Sequence, residues 1–150
     1  MTENSHISDD DLQPRGTCVC NRFRRAARLT SKIYDRALKP TGLRTSQFTL
    51  LGTLTYDGPL SIGKLSDLTA TDGTTLTRNL EVLVRRGLVE DVAADDARLR
   101  VVAITDLGKQ TWVAAVPLWR EAQEQVLEAI GSKRWTEMRV ELEKIEQACA

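Results

Sequence analysis

The sequence has few of the residues on which most metal-binding and catalytic chemistry depends. Its 150 residues include one histidine, His6, and three cysteines. It contains no glycine-rich phosphate loop and no dinucleotide-binding glycine motif. A lone histidine near the start of the chain does not favour a histidine-based metal site or catalytic base. We therefore expect a protein without enzymatic activity, metal ion or cofactor.

The sequence also lacks a long apolar run and an apolar leader. No run approaches the roughly 20 residues that a helix needs to cross a bilayer. The first 16 residues, MTENSHISDDDLQPRG, are polar and acidic, unlike a secretory signal. An odd number of cysteines argues against a secreted disulfide framework. We therefore expect a cytoplasmic protein with no membrane partner.

Neither sign of charge is in excess, but the charges are unevenly placed. The chain has 21 Lys and Arg residues and 21 Asp and Glu residues. Nine basic residues and one acid lie between Arg15 and Arg44, whereas seven glutamates and five basic residues follow Gln110. Two interpretations are open. The basic segment contacts an acidic polymer, or it pairs with the acidic C-terminal helices.

Apolar periodicity predicts three helices before residue 70. Residues 1–14 are expected to form a mobile tail. A helix is predicted from about Cys18 to Leu38, stopped by the proline and glycine that follow. Thr45 or Ser46 then caps a second helix. The stretch LSIGKLSDLT reads as a short third helix that turns Ile62, Leu65 and Leu68 inward.

The stretch TDGTTLTRNLEVLVRRG, residues 71–87, predicts a helix with two different faces. An apolar stripe of leucines and a valine marks the buried face: Leu76, Leu80, Leu83 and Val84. The opposite face carries mainly short hydroxyls and guanidiniums and no carboxylate: Thr74, Thr75, Arg78, Val82 and Arg85. Thr71 or Asp72 is the expected N-cap, and Gly87 lies just past the end.

The pattern changes to a β-hairpin after Gly87 and then returns to helix. LVEDV and LRVVAIT read as two short strands joined by the turn AADDAR. A long helix follows from Asp106 to Ile130, in which Pro117 should cause a kink or a local end. In the last helix an apolar seam recurs at intervals of three and four residues: Trp135, Met138, Leu142 and Ile145.

This order of elements predicts a winged helix-turn-helix, a mostly α fold with a small β-hairpin wing (α+β). In such a unit the second helix of the pair enters the DNA major groove, and the hairpin reaches the backbone or minor groove. Short hydroxyls let the helix approach, and arginines suit guanine edges or phosphates. The predicted DNA-binding residues are Thr74, Thr75, Thr77, Arg78, Arg85, Asp96, Arg98 and Arg100.

In the turn DDARLR, Asp96 and Arg98 are two residues apart and can face the same side. The aspartate could then orient the guanidinium for a narrow, electronegative minor groove. A solvated turn with a weak ion pair is the alternative. Arg100 is either a second cation of the wing or a residue that faces solvent.

Residues 60–108, LSIGKLSDLTATDGTTLTRNLEVLVRRGLVEDVAADDARLRVVAITDLG, resemble the winged-helix core of the MarR family of bacterial transcriptional regulators. The matching features are the leucine-rich recognition helix, the D-x-R wing and the I-T-D-L-G stretch before the next helix. CVCNRFRRAARLTSKIYDRALKPTGLRTSQFTLL resembles the family's first helix and the start of its second. The likeness covers roughly residues 18–148. It departs from the family at Ala94, where several members have proline, and at Arg100, where an apolar residue is common.

The resemblance implies a homodimeric regulator, more often a repressor, that binds double-stranded DNA at a pseudo-palindromic operator. Residues 15–43 and 110–150 would form the dimerisation helices, and residues 44–109 the winged helix-turn-helix domain. The family often binds a small ligand between these two lobes. Tyr34, Phe48 and Trp112 are then candidates for a pocket that takes a small aromatic effector, although such aromatics are also common in a plain core.

Cys18 and Cys20 support an alternative, a thiol-based redox sensor. The peroxide-sensing branch of the family has a reactive cysteine in this region and a tyrosine fourteen positions later, as Cys20 and Tyr34 are spaced here. A helix N-terminus beside arginines also favours the thiolate. Arg24 and Thr45, however, stand where that branch has further tyrosines. A winged-helix protein-interaction module is a more remote alternative.

Overall fold

The structure, a computed structural model, describes residues 16–96 and 98–149, so the tail expected at residues 1–14 lies outside the described residues. The elements, in chain order, are α1 (Val19–Leu38), a short 3-10 helix (Lys39–Thr41), α2 (Thr45–Asp57), β1 (Leu60–Ser61), α3 (Ile62–Thr69), α4 (Gly73–Arg85), β2 (Val89–Val92), β3 (Val101–Ile104), α5 (Asp106–Ile130) and α6 (Ser132–Cys149). The predicted mostly helical fold with a β-hairpin wing is confirmed.

The start of α2 depends on a carboxylate of α1. The prediction that Thr45 or Ser46 caps α2 is wrong, because Arg44 is the N-cap and Thr45 is the first helical residue. The backbone N–H and the hydroxyl of Thr45 both donate to Asp35 Oδ1, at 2.7 and 2.8 Å. Asp35 therefore satisfies a free N–H at the N-terminus of α2 from another helix.

The helix-turn-helix is built around leucines from three helices. Leu65 of α3 and the leucines of α4 are fully buried against leucines of α2, while Ile62 packs at the edge of this core. The inward placement predicted for Leu68 is wrong, since its side chain is 48% exposed. Ala70 makes the turn into α4 with a φ of 46°, in the left-handed region. The core thus fixes which side of α4 faces out.

The sheet has three antiparallel strands in the order β1-β3-β2, one more than the sequence predicts. The additional strand, β1, consists of Leu60 and Ser61, which pair with Val102 and Val101 of β3. Only two residues long, it cannot show the alternation by which a strand is recognised. β2 and β3 form the expected hairpin.

The first turn of α5 is fixed tightly to the hairpin. Thr105 is the N-cap of α5 and accepts from the N–H of Gly108, while its own hydroxyl donates to the carbonyl of Gly87 at 2.7 Å. A Cβ at residue 108 would lie 2.1 Å from the carbonyl oxygen of Leu88. Only glycine fits this close approach, which accounts for the glycine of the I-T-D-L-G stretch.

The long helix α5 leads away from the winged domain without interruption. It runs through Pro117, so the local end that the proline predicted does not occur. α5 packs on α1 and α2, whereas α6 has no buried residue. In the described part of the chain, no helix combines the length and the apolar composition that a membrane span requires.

Candidate nucleic-acid interface

The N-terminus of α4 is capped by Asp72, as predicted. The Asp72 carboxylate accepts from the backbone N–H of Thr75 at 2.9 Å. The pKa of Asp72 lies below its ordinary value because the side chain and then the backbone of Thr75 hydrogen-bond to the carboxylate. The negative charge of Asp72 is therefore engaged in capping the N-terminus of α4.

The outward face of α4 is open, as the sequence predicts. All the predicted contact residues are exposed: Thr74, Thr75, Thr77, Arg78, Arg85, Asp96, Arg98 and Arg100. Thr74, Thr77 and Arg78 line one shallow groove together with two carboxylates, those of Asp72 and Glu81. Glu81 lies three residues after Arg78, so this face, expected to be free of carboxylates, carries one. The three-residue spacing between Arg78 and Glu81 already indicates that the two side chains share one side of the helix.

The adjacent arginines at the end of α4 differ in their surroundings. Arg85 is exposed on the outer side. Arg86 donates from its two terminal nitrogens to the carbonyls of Gly42 and Thr41, at 2.8 and 3.0 Å. Arg86 thus ties the end of the recognition helix to the segment after α1. Nothing in the sequence pattern distinguishes these two arginines.

At the tip of the wing, Asp96 organises the backbone and does not hold the guanidinium of Arg98. Asp96 Oδ1 accepts from the backbone N–H of Arg98 at 2.9 Å, and the Asp96 carbonyl accepts from Leu99 at 2.9 Å. Across residues 16–96 and 98–149 no ion pair joins the Asp96 and Arg98 side chains. The exposed Arg98 side chain is presented by this turn.

Arg100, at the base of the wing, is paired with an acid of the other strand. Its Nε and one terminal nitrogen donate to the two carboxylate oxygens of Asp91, at 2.6 and 3.2 Å. Each partner strengthens the charged form of the other: the pKa of Asp91 is lowered and that of Arg100 is raised, mainly by this hydrogen bonding. The positive charge of Arg100, expected as a second cation of the wing, is therefore neutralised by Asp91.

An aromatic cleft lies between α2 and α5. Phe48 stacks on Trp112 and Trp119 with ring centroids 5.7 and 6.0 Å apart, and Tyr56 meets Trp112 edge-on. Four aromatic rings, several small side chains and two charged residues line a cleft of about 490 Å³: Phe48, Thr49, Gly52, Thr53, Tyr56, Asp57, Trp112, Val116, Trp119 and Arg120. The structure thus places two of the three predicted pocket residues, Phe48 and Trp112, in contact in the lining of the cleft.

The third predicted pocket residue, Tyr34, does not line the cleft. Its hydroxyl donates to Gln123 Oε1, and its ring centroid lies 6.4 Å from that of Trp119. Burial raises the pKa of Tyr34. Tyr34 therefore supports the cleft from behind through Trp119.

The cysteines are accessible. Cys18 immediately precedes α1 and Cys20 lies in its first turn, and both thiols are free and exposed. Among the residues that the structure describes, no group of three or more His, Cys, Asp or Glu side chains is arranged to hold a metal ion.

These features define the class of the protein. A leucine-anchored helix presents hydroxyls and Arg78 on one open face, beside a hairpin whose tip presents Arg98. This is the arrangement of a winged helix-turn-helix DNA-binding protein.

Comparison with known proteins gives the family. The MarR family profile matches residues 41–99. The chain is 39% identical to the transcriptional regulator MosR of M. tuberculosis, solved in complex with DNA, with coverage of 88% of this chain and 96% of that one and a TM-score of 0.79. The chain therefore belongs to the MarR family of transcriptional regulators.

Two further relatives are similar over different lengths. A probable transcriptional regulator from Pseudomonas aeruginosa is 25% identical, with 86% of this chain and 97% of that chain covered and a TM-score of 0.78. An uncharacterised HTH-type transcriptional regulator of Bacillus subtilis, YwoH, is 28% identical over 87 residues. That alignment spans 58% of this chain and 64% of YwoH.

The Asp72 cap makes the stability of the fold depend on pH. Because the folded-state pKa of Asp72 is depressed, the ionised cap stabilises the fold fully above the ordinary aspartate pKa of about 4. This stabilisation is lost as the pH falls through the folded-state value. Asp72→Ala should therefore reduce the free energy of unfolding in urea at pH 7, with a smaller reduction near pH 3.

Asp72→Asn is the matched control, since asparagine is also a good N-cap and does not titrate. The difference between the two variants should not change with pH. A reduction for Asp72→Ala that is equally large in acid would contradict the role of the ionised cap.

Proposed function

We propose that the protein is a homodimeric repressor that binds a pseudo-palindromic operator and is released from it by a small aromatic ligand. The observation that carries this proposal is the open face of α4, on which Thr74, Thr77 and Arg78 lie in one groove. It is a cytoplasmic, non-enzymatic role, in keeping with relatives that are transcriptional regulators.

The chemistry of the exposed side chains assigns each a part in recognition. Arg78 sits in the middle of the outer face, where a guanidinium can donate two hydrogen bonds to a guanine edge. The hydroxyl of Thr74 suits a phosphate oxygen near the helix N-terminus. The hydroxyls of Thr75 and Thr77 already make hydrogen bonds at the start of α4. Arg85, the last residue of α4, adds a phosphate contact.

The wing adds contacts outside the major groove. Arg98 is exposed at the tip, on a turn that Asp96 holds through the backbone. An arginine presented in this way suits a narrow minor groove. The relative MosR, 39% identical, was solved in complex with DNA, which supports the same mode of binding here.

Two of these assignments can be separated by substitution. Arg98→Ala should weaken binding to the DNA upstream of the protein's own gene roughly tenfold or more, and Arg78→Ala should reduce discrimination between base variants by about 1–3 kcal/mol. Fluorescence anisotropy over a range of salt concentrations measures both. Arg139→Ala, on α6, is the control for the loss of one positive charge.

Parent-like affinity in Arg98→Ala would show that the wing assignment is wrong. If Arg78→Ala binds the base variants of the DNA in the same order of affinity as the parent, the base-reading role of Arg78 is wrong. If the parent shows no salt-sensitive DNA binding, the protein-interaction module becomes the better interpretation.

The proposed dimer rests on apolar surface that one chain leaves uncovered. Val19, Phe23 and Leu29 of α1 and Met138 and Ile145 of α6 are each at least 40% exposed. Phe23, Met138 and Ile145 border one groove of about 430 Å³. A second copy is the occupant that we propose, because exposed apolar side chains of both α1 and α6 border this groove.

Sedimentation velocity tests the dimer. The parent should sediment as a dimer at micromolar concentration, and Met138→Glu should shift it toward monomer because a charge would be buried in the interface. Thr136→Glu adds the same charge two residues away on another side of α6 and should leave the dimer intact. A stable parent monomer would contradict the proposal.

The proposed ligand site is the aromatic cleft, whose walls belong to the two lobes, residues 44–109 and residues 15–43 with 110–150. Phe48 and Tyr56 come from α2, and Trp112 and Trp119 from α5. The flat faces of these rings favour a planar aromatic ligand. A ligand between α2 and α5 changes the angle between the lobes, and hence the spacing of the two α4 helices on DNA.

Thiol-based regulation is the second candidate, favoured by the exposure of both Cys18 and Cys20. Peroxide would convert the two thiols to a disulfide and would itself be reduced to water. The cysteines begin α1, which belongs to the proposed dimerisation lobe. Oxidation would therefore act on DNA binding through the same lobe as a ligand.

One DNA-binding experiment distinguishes the two kinds of effector. Reduced protein is titrated with benzoate, a simple aromatic probe, or with hydrogen peroxide. Benzoate should release the DNA from the parent and have less effect on Thr49→Trp, in which a large exposed side chain fills the cleft. Release by peroxide that is lost in Cys18→Ser would instead favour the redox regulator.

A further inference from the structure

The ion pair between Asp91 and Arg100 lies on the inner face of the wing. Asp91 pairs in register with Val102, and Val89 with Ile104. Val89 and Val102 are buried, and side chains alternate along a strand. Asp91 is two residues from Val89, and Arg100 is two residues from Val102. Both side chains therefore lie on the same face of the sheet as the buried valines, closer to the tip of the wing. This is the face toward α4.

Arg100 connects several elements at the base of the wing. Its guanidinium donates to both carboxylate oxygens of Asp91 on β2, and its carbonyl accepts from the N–H of Ile62, the first residue of α3, at 3.1 Å. Glu81 of α4 is close enough for its charge to raise the pKa of Arg100 further. Arg100 thus lies where both wing strands, α3 and α4 converge.

Beyond this ion pair, little holds the two sides of the wing together. The strand ladder ends at the pair Val92 and Val101. In the described part of the loop that follows, the hydrogen bonds are those that Asp96 accepts from Arg98 and Leu99. These shape the tip but do not connect it to the domain. The position of the tip is therefore set at its base.

We propose that Asp91 and Arg100 are positioning residues that fix the wing relative to α4, so that Arg100 acts through Asp91 and not by contact with DNA. This rests on the proposed function, in which Arg98 at the tip contacts the minor groove. An exposed ion pair contributes little to global stability, so variants at these positions should fold. Their effect should appear in the placement of Arg98.

The sequence offers a matched pair of substitutions. Asp91→Ala and Glu90→Ala each remove one negative charge from β2, but Glu90 is exposed on the opposite face and Asp91 holds Arg100. Charge alone predicts that both variants bind DNA more tightly. Positioning predicts that Asp91→Ala binds the DNA upstream of its own gene about tenfold more weakly, whereas Glu90→Ala binds as tightly as the parent or more tightly.

The path through Arg98 is tested by combining substitutions. In an Arg98→Ala background, adding Asp91→Ala should change the affinity less than twofold, because the contact that it positions is already gone. Arg100→Ala should match Asp91→Ala, and the double variant should be no weaker than either. Tighter binding by Asp91→Ala than by the parent would overturn the proposal.

A measurement without DNA separates failure of this inference from failure of the proposed function. Amide hydrogen exchange at Arg98 and Leu99 should be faster in Asp91→Ala and Arg100→Ala than in the parent and unchanged in Glu90→Ala. If the parent does not bind DNA, the proposed function fails, and the exchange rates still decide whether the ion pair fixes the wing. Equal exchange rates at these two amides in the parent and in all three variants would overturn the proposal that the ion pair fixes the wing.

Discussion

The arrangement of the candidate interface depends on the burial of one leucine stripe. Leu76, Leu80 and Leu83 are inaccessible to solvent, and each such side chain gains roughly 1.5–3 kcal/mol by leaving water. That burial fixes the rotation of α4 about its own axis. Once this rotation is set, Arg78 points away from the leucine core, on the exposed side of α4.

The fold was predictable from the sequence to the extent that its elements repeat a pattern. The leucines of α4 recur at helical spacing, and Asp72 stands at the position of an N-cap, so both predictions are confirmed. β1 was missed because two residues contain no periodicity, and Leu68 was misplaced because a helix of eight residues can present its edge to solvent. Pro117 was expected to kink α5 or to end it locally, and the helix continues through it.

The sequence predicted which residues belong to the candidate site, but not which side chains or backbone groups they bond to. Exposure of Arg78, Arg85 and Arg98 follows from where they fall relative to the leucines. The partner of each carboxylate depends on contacts between different helices or strands. Asp35 serves α2 across ten residues and Asp91 engages Arg100 across the hairpin. Such partners have no local signature.

The hydrogen bonds of Arg86 have a consequence for how motion passes between the lobes. Because its guanidinium donates to the carbonyls of Thr41 and Gly42, the end of α4 is joined to the segment that follows α1. These two hydrogen bonds therefore oppose a displacement of α1 relative to α4 at this junction. In the dimer that we propose, such a displacement would change the distance between the two α4 helices, and with it their match to one helical turn of DNA.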